Sequence, residues 1–201
     1  MSDAAQPLPP AALIIRHQVA DFDAWKVAFD DHEGARREAG CLGHHINRAK
    51  DDPNLVTIYL AVEDVERAKA FAASDDVKKA MEEAGVTSAP EFTWATPVRE
   101  AVVWDRELPA FLISHQVADF DSWLTGYNAA DDLRLARGII GHAANRSLDD
   151  PSVALVYHQA ESFDTLQAFL EDDELRAAMK DAGVISEPEI SYHTGVSAKF
   201  Y

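Results

Sequence analysis

The stretch His17–Trp25, HQVADFDAW, returns 98 positions later as His115–Trp123, HQVADFDSW. In each copy, residues in strand-like alternation run into an aspartate and then into a segment that carries a tryptophan. Asp and Ser residues favour the position just before a helix, and a helix buries large apolar residues at a spacing of three to four. The repeated stretch therefore predicts a strand that leads into a helix capped by Asp21 or Asp23.

The same offset holds without a gap to the end of each copy. Gly43, His44, Asn47, Arg48 and Tyr59 match Gly141, His142, Asn145, Arg146 and Tyr157, and Pro90 matches Pro188. Chance does not place so many identities at one register, so the chain is a tandem duplication. We predict two units, 12–98 and 111–201. The apolar segment 99–110 is predicted to be a packed linker that adds an edge strand.

Each copy has the predicted order β-α-β-β-α-β. In the first copy the strands are predicted at 13–19, 42–48, 55–62 and 92–98, and Gly40 and Gly85 follow the helices. This order is typical of the ferredoxin-like fold, a four-stranded antiparallel sheet with its helices on one face. The predicted fold class is α+β, with two tandem units packed sheet to sheet as a pseudo-dimeric α+β barrel.

The chain has 35 acidic and 18 basic residues and a formal net charge of −17. Such a surface repels phosphate backbones and anionic lipids, so we expect neither nucleic acid nor a membrane as a partner. No run reaches the roughly 18 apolar residues of a membrane-spanning helix, and the first residues do not have the pattern of a signal peptide. The expected location is the cytoplasm. Cys41 is expected to be a small apolar core residue.

Three segments carry a resemblance to a known family: the stretch HQVADFDAW, the NR-x-x-DDP pattern at 47–53, and SDDVKKAMEEAGV at 74–86. Together with the order of elements, they resemble the dimeric α+β barrel superfamily, and within it the antibiotic biosynthesis monooxygenase-like proteins. The resemblance implies a single-chain version of a barrel that usually forms from two chains. This superfamily includes oxygenases, haem-degrading enzymes, isomerases, cyclases and ligand binders, so the resemblance is more informative on fold than on chemistry.

Histidines on the predicted strands are the candidate catalytic residues. His44 and His142 are present in both copies, whereas His158 replaces Leu60 in the second copy alone. An imidazole beside an apolar cavity can perform general acid–base chemistry. The competing interpretation is a buried histidine with a structural role, which we favour for His17 and His115; for His158 and Tyr192 it is a surface residue that has diverged since the duplication. We predict His142, His158 and His44 as catalytic residues.

Differences between the copies favour the second copy as the place where a substrate binds, because one copy can gain a site while the other loses its own. Tyr127, Tyr192 and His193 stand where the first copy has Phe29, Trp94 and Ala95. The polar pairs Asn47–Arg48 and Asn145–Arg146, which precede the two Asp-Asp-Pro turns, are further candidates. The predicted substrate-binding residues are Tyr192, His193, Tyr127, Asn145, Arg146, Asn47 and Arg48. The alternative for the Asn and Arg residues is a local role at the hairpin, through turn hydrogen bonds or a weak ion pair.

No metal or cofactor is expected. The histidines form neither HxH nor HxxxH, and His44 and His45 point to opposite faces of a regular strand. His45 aligns with Ala143 and is interpreted as a surface residue or a residue of one site only. The leading hypothesis is a cofactor-independent monooxygenase or cyclase acting on an apolar or aromatic small molecule. The alternatives are a non-catalytic small-ligand binder and a barrel whose interface is its whole function; pocket number and further self-association stay open.

Overall fold

The computed structural model describes residues 7–201. Each repeat has four strands and four helices, because each predicted helical region divides into two helices. The first repeat consists of β1 (Ala11–Gln18), α1 (Phe22–Asp31), α2 (Glu33–Glu38), β2 (Cys41–Ala49), β3 (Leu55–Val62), α3 (Val65–Ala72), α4 (Asp75–Glu83) and β4 (Glu91–Ala101). The second consists of β5 (Pro109–Gln116), α5 (Phe120–Ala129), α6 (Asp131–Ala136), β6 (Ile139–Ser147), β7 (Val153–Ala160), α7 (Phe163–Glu171), α8 (Asp173–Asp181) and β8 (Glu189–Phe200).

Side-chain caps set the helix starts. The Asp21 carboxylate accepts a hydrogen bond from the Ala24 amide, and Asp119 accepts one from the Ser122 amide. These bonds satisfy amides that have no partner inside the helix. Gly40 has φ +84°, the left-handed conformation that a helix end requires. The duplicated stretch therefore ends its strand and starts its helix as predicted.

The eight strands form one closed barrel in the order β1-β3-β2-β8-β5-β7-β6-β4, with β4 returning to β1. The four strands of each repeat are neighbours, and the repeats join along two edges, β2 with β8 and β4 with β6. We call these two pairings the inter-repeat seams. The predicted pair of ferredoxin-like units in a pseudo-dimeric α+β barrel is confirmed.

The last strand of each repeat reaches past its own sheet onto the other repeat. β4 extends to Ala101, three residues beyond the predicted end, and pairs with β6; residues 102–108 then form no strand before β5 begins at Pro109. The expected extra edge strand is therefore wrong as a separate element, since the first linker residues simply lengthen β4. β8 reaches Phe200 in the same way and pairs with β2.

Alternate side chains of every strand face either the helices or the barrel interior. On the helix side, Leu13, Leu60 and Trp25 belong to one apolar cluster that includes Cys41, as predicted. In the second repeat, Phe111, Val156 and Trp123 belong to the corresponding cluster. Buried strand side chains therefore lie in two separate regions, one between the sheet and the helices and one inside the barrel. Among the described helices, none is long and apolar enough to cross a membrane.

Candidate functional site

The interior of the barrel contains a small cavity of about 50 Å³, which we call the barrel chamber. Both repeats contribute to its walls. The lining residues are Ile14, His45, Asn47, Thr57, Tyr59, Glu100, Val102, Trp104, Leu112, Ala143, Asn145, Tyr157 and His193. A water molecule needs roughly 10–15 Å³ by this measure, so the chamber has room for a few waters and not for an aromatic ring system.

Most polar groups of the chamber are buried and uncharged. The Tyr157 hydroxyl donates to Asn47 Oδ1 at 2.8 Å. Burial lowers the pKa of His45 and of His193 to about 4, so both rings are neutral at pH 7. Thr57 Oγ1 and His193 Nδ1 are buried without a hydrogen-bond partner in the described part of the chain. The chamber is a polar pocket suited to ordered water.

A larger cavity of about 820 Å³ opens to solvent at one end of the barrel, and we call it the mouth cavity. Its walls are Pro7, Leu8, Pro9, Leu42, Gly43, His44, Tyr59, Ala61, Glu100, Ala101, Val102, Trp104, Phe200 and Tyr201. Four of these residues also line the barrel chamber: Tyr59, Glu100, Val102 and Trp104. Its volume lies in the range of about 300–1,000 Å³ that is usual for small-molecule sites.

His44 is held in a fixed orientation at the wall of the mouth cavity. Its Nδ1 lies 2.9 Å from the Tyr201 hydroxyl, and Arg36 Nε donates to that same hydroxyl oxygen at 2.7 Å. Since a guanidinium can only donate, the hydroxyl hydrogen of Tyr201 is available for His44 Nδ1. This arrangement assigns the hydrogen of the neutral imidazole to Nε2. Burial, followed by the charge of Arg36, lowers the pKa of His44 to about 4.

Glu100 provides a carboxyl group to the same cavity. Burial raises the pKa of Glu100, which makes its carboxylate a stronger base than an exposed one. Burial and the charge of Glu100 raise the pKa of Tyr59, so this phenol keeps its proton. Trp104 lines both cavities, and its ring lies 5.1 Å from the ring of His45 and 5.1 Å from that of Phe200.

The predicted residues His142, His158 and Tyr127 come together in a packed cluster between α5, β6 and β7. The Tyr127 hydroxyl lies 3.1 Å from His142 Nδ1 and 3.4 Å from His158 Nε2. Phe111 and Phe169 cover the ring of His158. Burial lowers the pKa of His142 to about 4 and that of His158 well below its usual value. Neither the mouth cavity nor the barrel chamber is lined by these three residues.

The remaining predicted site residues lie in three separate places. Asn47, Asn145 and His193 line the barrel chamber. Of the two interpretations of His45, the surface position is wrong, because a strand buried on both faces places its ring in the same chamber; the interpretation as a residue of one site stays a prediction. Tyr192 faces the helices and packs on Phe111.

The two predicted arginines hold the hairpin turns. Arg48 lies over the Phe22 ring and donates to the carbonyl of Pro53, and Arg146 does the same with Phe120 and Pro151. His17 and His115 are core residues, as favoured, and each packs edge-on against a tryptophan of the following helix. Both nitrogens of both rings have no hydrogen-bond partner among residues 7–201.

Four important residues of the mouth cavity region were not predicted from the sequence: Arg36, Glu100, Trp104 and Tyr201. Tyr201 aligns with Val103, so the comparison of the repeats marks it as a difference and thus as a candidate. Glu100 and Trp104 lie in the segment that was predicted to be a linker. Arg36 matches Arg134, so the comparison of the two repeats gave no reason to select it as a site residue. Within residues 7–201, no group of three or more His, Cys, Asp or Glu side chains is placed to hold a metal ion.

Comparison with known proteins agrees with this architecture. Residues 16–83, most of the first repeat, match the family model described as antibiotic biosynthesis monooxygenase. No curated protein matches the chain. Among solved structures, a proposed monooxygenase from Lactobacillus acidophilus NCFM has a TM-score of 0.65 at 12% identity, with 96% of each chain covered.

Two further structures have the same fold. An anthrone oxidase-like protein has a TM-score of 0.67 at 11% identity, covering 94% of this chain and 92% of its own. An uncharacterized ferredoxin fold protein from Listeria monocytogenes 4b F2365, related to antibiotic biosynthesis monooxygenases, has a TM-score of 0.55 at 7% identity, covering 94% and 96%. At these identities the similarity shows the fold, over nearly the whole length of both repeats.

Proposed function

Because this chain is a tandem antibiotic biosynthesis monooxygenase-like α+β barrel, we propose that it is a small-molecule enzyme, a cofactor-independent monooxygenase that acts on an apolar hydroxyaromatic substrate. The proposed site is the mouth cavity of the first repeat. The sequence suggested the second repeat, but the packed cluster around His158 leaves less room for a substrate than the mouth cavity does.

One observation carries the proposal: a cavity of substrate size contains both a carboxyl group and an oriented imidazole. Glu100 and His44 line the mouth cavity together with the aromatic side chains of Trp104, Phe200 and Tyr201. Aromatic walls suit a flat apolar ring system. A base and a hydrogen-bond donor in one site are the groups needed to form and stabilise a substrate anion.

The residues have distinct proposed roles. The Glu100 carboxylate accepts a proton from the substrate, for which its raised pKa is an advantage. The resulting oxyanion accepts a hydrogen bond from His44 Nε2, whose orientation is held by Tyr201 and, behind it, Arg36. The low pKa of His44 keeps the ring neutral, so it acts as a hydrogen-bond donor and not as an acid. This refines the predicted role of His44 as a base.

Dioxygen is the oxidant in this proposal. The electron-rich substrate carbanion attacks O2 to give a hydroperoxide on the ring carbon. Loss of water from that hydroperoxide leaves a carbonyl. For an anthrone, the methylene carbon becomes a ketone, one oxygen atom enters the product and the other leaves as water, and the four electrons lost by carbon reduce O2. The protein binds the substrate, removes the proton and excludes water.

A turnover screen with anthrone and other hydroxyaromatic compounds, with and without oxygen, tests the proposal. We expect oxygen uptake matched to product formation. Glu100→Gln and His44→Leu should each lower kcat/KM about 100-fold, the usual effect of losing a base or an oxyanion donor. Tyr201→Phe should cost about tenfold, because the imidazole keeps its place and loses its orientation. His32→Leu, on the exposed end of α1, is the matched histidine control.

The same panel distinguishes the alternatives. Loss of activity in His142→Leu and His158→Leu, with full activity in His44→Leu, would move the site to the second repeat, as the sequence suggested. Turnover that does not require oxygen would indicate a cyclase, which uses the same base and oxyanion donor. Tight binding of the ring compounds without turnover in any condition would contradict the enzyme and support the non-catalytic ligand binder.

A further inference from the structure

Arg36 is a buried cation with no acidic partner among the described residues. Its side chain is 5% exposed, and its Nη2 atom has no hydrogen-bond partner. The other guanidinium nitrogens bind uncharged groups, since Nε donates to the Tyr201 hydroxyl and Nη1 donates to the Phe29 carbonyl. The guanidinium also lies 3.6 Å above the centre of the Phe29 ring. A buried charge without a counter-charge is costly, so this arrangement requires an explanation.

The second repeat shows how the same arginine is normally neutralised. Arg134 occupies the aligned position and forms an ion pair with Asp131 at 2.5 Å. In the first repeat the acid aligned with Asp131 is Glu33, but its carboxylate binds Lys199 at 2.5 Å and Arg37 at 3.6 Å. Lys199 comes from the end of β8, which crosses the seam. In the first repeat, Glu33 pairs with these other cations, and Arg36 has no acidic partner among the described residues.

The positive charge is connected to the mouth cavity by hydrogen bonds. Arg36 donates to Tyr201, and Tyr201 bonds to His44 Nδ1, so a buried cation lies directly behind two residues of the cavity wall. Both Tyr201 and His44 line that cavity, beside the rings of Trp104 and Phe200. A buried and unpaired cation next to the wall favours an anionic ligand in the cavity over a neutral one.

We propose that the mouth cavity binds an aromatic carboxylate, whose negative charge takes the place of the missing partner of Arg36. A carboxylate is already ionised at pH 7, whereas a simple phenol is not. The aromatic part of the ligand packs on Trp104 and Phe200. The inference rests on the proposed function only in using the same cavity, since it requires no turnover.

Calorimetric titration of the full chain with 2-naphthoate and its neutral isostere 2-naphthamide tests this inference. We expect the wild-type protein to bind the carboxylate at least about tenfold more tightly than the amide. Arg36→Met keeps an unbranched apolar side chain over Phe29 and should abolish the preference. Arg37→Gln is the matched control, because it removes the same charge from the neighbouring exposed position and should keep the preference. Near-UV circular dichroism confirms that the variants are folded.

Equal affinities for the two probes in the wild-type protein, or no binding of either, would overturn the inference, and this comparison does not depend on any variant. A preference that survives Arg36→Met, or that Arg37→Gln abolishes equally, would also overturn it. The outcome is separate from that of the oxygenase proposal. A protein that prefers 2-naphthoate but oxidises nothing keeps the carboxylate site and loses the proposed chemistry, and active turnover without the preference gives the reverse.

Discussion

His44 and His142 occupy the same position in the two repeats, and each bonds through Nδ1 to a tyrosine hydroxyl. The tyrosines come from different places: Tyr127 belongs to the helix of its own repeat, and Tyr201 arrives from the other repeat. With Phe29 at the first-repeat position of Tyr127, the hydroxyl would be missing there without Tyr201. The pair of histidines therefore has the same local geometry, while only His44 lines the mouth cavity.

The effect of a buried histidine on stability can be tested at His115, which lines neither cavity. Burial lowers its pKa to about 4, against about 6.5 for an unfolded chain. A lowered histidine pKa contributes stability above pH 6.5 that is lost as the pH falls, because the unfolded state then takes up the proton. At pH 5 this loss is about 2 kcal/mol.

His115→Leu should remove that loss. We expect its free energy of unfolding to lie within about 1 kcal/mol of the wild-type value at pH 7, since a neutral ring without hydrogen bonds is replaced by an apolar side chain. At pH 5 the variant should gain about 2 kcal/mol relative to the wild type. Urea unfolding at both pH values measures this. His32→Leu, at an exposed position, should show no such gain, and an equal difference between His115→Leu and wild type at both pH values would contradict the argument.

Among the structural elements, β8 has the widest influence on the proposed site. Its residues pair with β5 of its own repeat and, further along, with β2 of the other repeat. This second pairing positions Lys199 beside Glu33 and brings Tyr201 to His44. The β2–β8 seam therefore holds the first-repeat site together, and any change that moves β8 away from β2 should weaken it.

Gly43 lies in β2 opposite Phe200 of β8. A Cβ atom at this position would lie 2.7 Å from the Lys199 backbone oxygen, which is too close for a strand pairing to keep its geometry. Gly43→Ala should lower the free energy of unfolding by about 1–3 kcal/mol, as steric overpacking does. It should also weaken ligand binding in the mouth cavity, since Phe200 and Tyr201 follow Lys199. Thermal unfolding and the 2-naphthoate titration measure the two effects.

Gly34→Ala is the matched control for that experiment. Gly34 lies in α2, and a Cβ atom there would have no neighbour within 4 Å. Alanine favours a helix over glycine by up to about 1 kcal/mol, so this variant should be unchanged or slightly more stable. If Gly43→Ala behaves like Gly34→Ala, the seam is looser than its pairing indicates, and β8 does not control the site.

For the whole molecule, the sequence predicted what depends on local pattern and duplication. The strand–helix stretch, the caps and the tryptophan core follow from residue types at fixed spacing, and the tandem barrel follows from the repeat. The site depends on contacts between distant segments. Tyr201 reaches His44 only because β8 continues past its own sheet in one particular register with β2. Glu33 pairs with Lys199, which comes from the end of β8, and not with Arg36. The spacing of residues within one repeat predicts neither of these contacts.

Division of the chain at 104/105, between the two predicted units, tests the molecule as an assembly. Residues 1–104 alone leave one edge of β2 and one edge of β4 unpaired, and residues 105–201 leave one edge of β6 and one edge of β8 unpaired. Unpaired strand edges associate, so neither half should be a stable monomer, whereas the mixed halves should form a one-to-one complex. Light scattering after gel filtration measures the masses.

The first half on its own can close a barrel only with another copy of itself, in which Val103 takes the position of Tyr201. Its 2-naphthoate binding should therefore appear only when the second half is added. Folded, monomeric halves would show that the two seams are not what holds the barrel together.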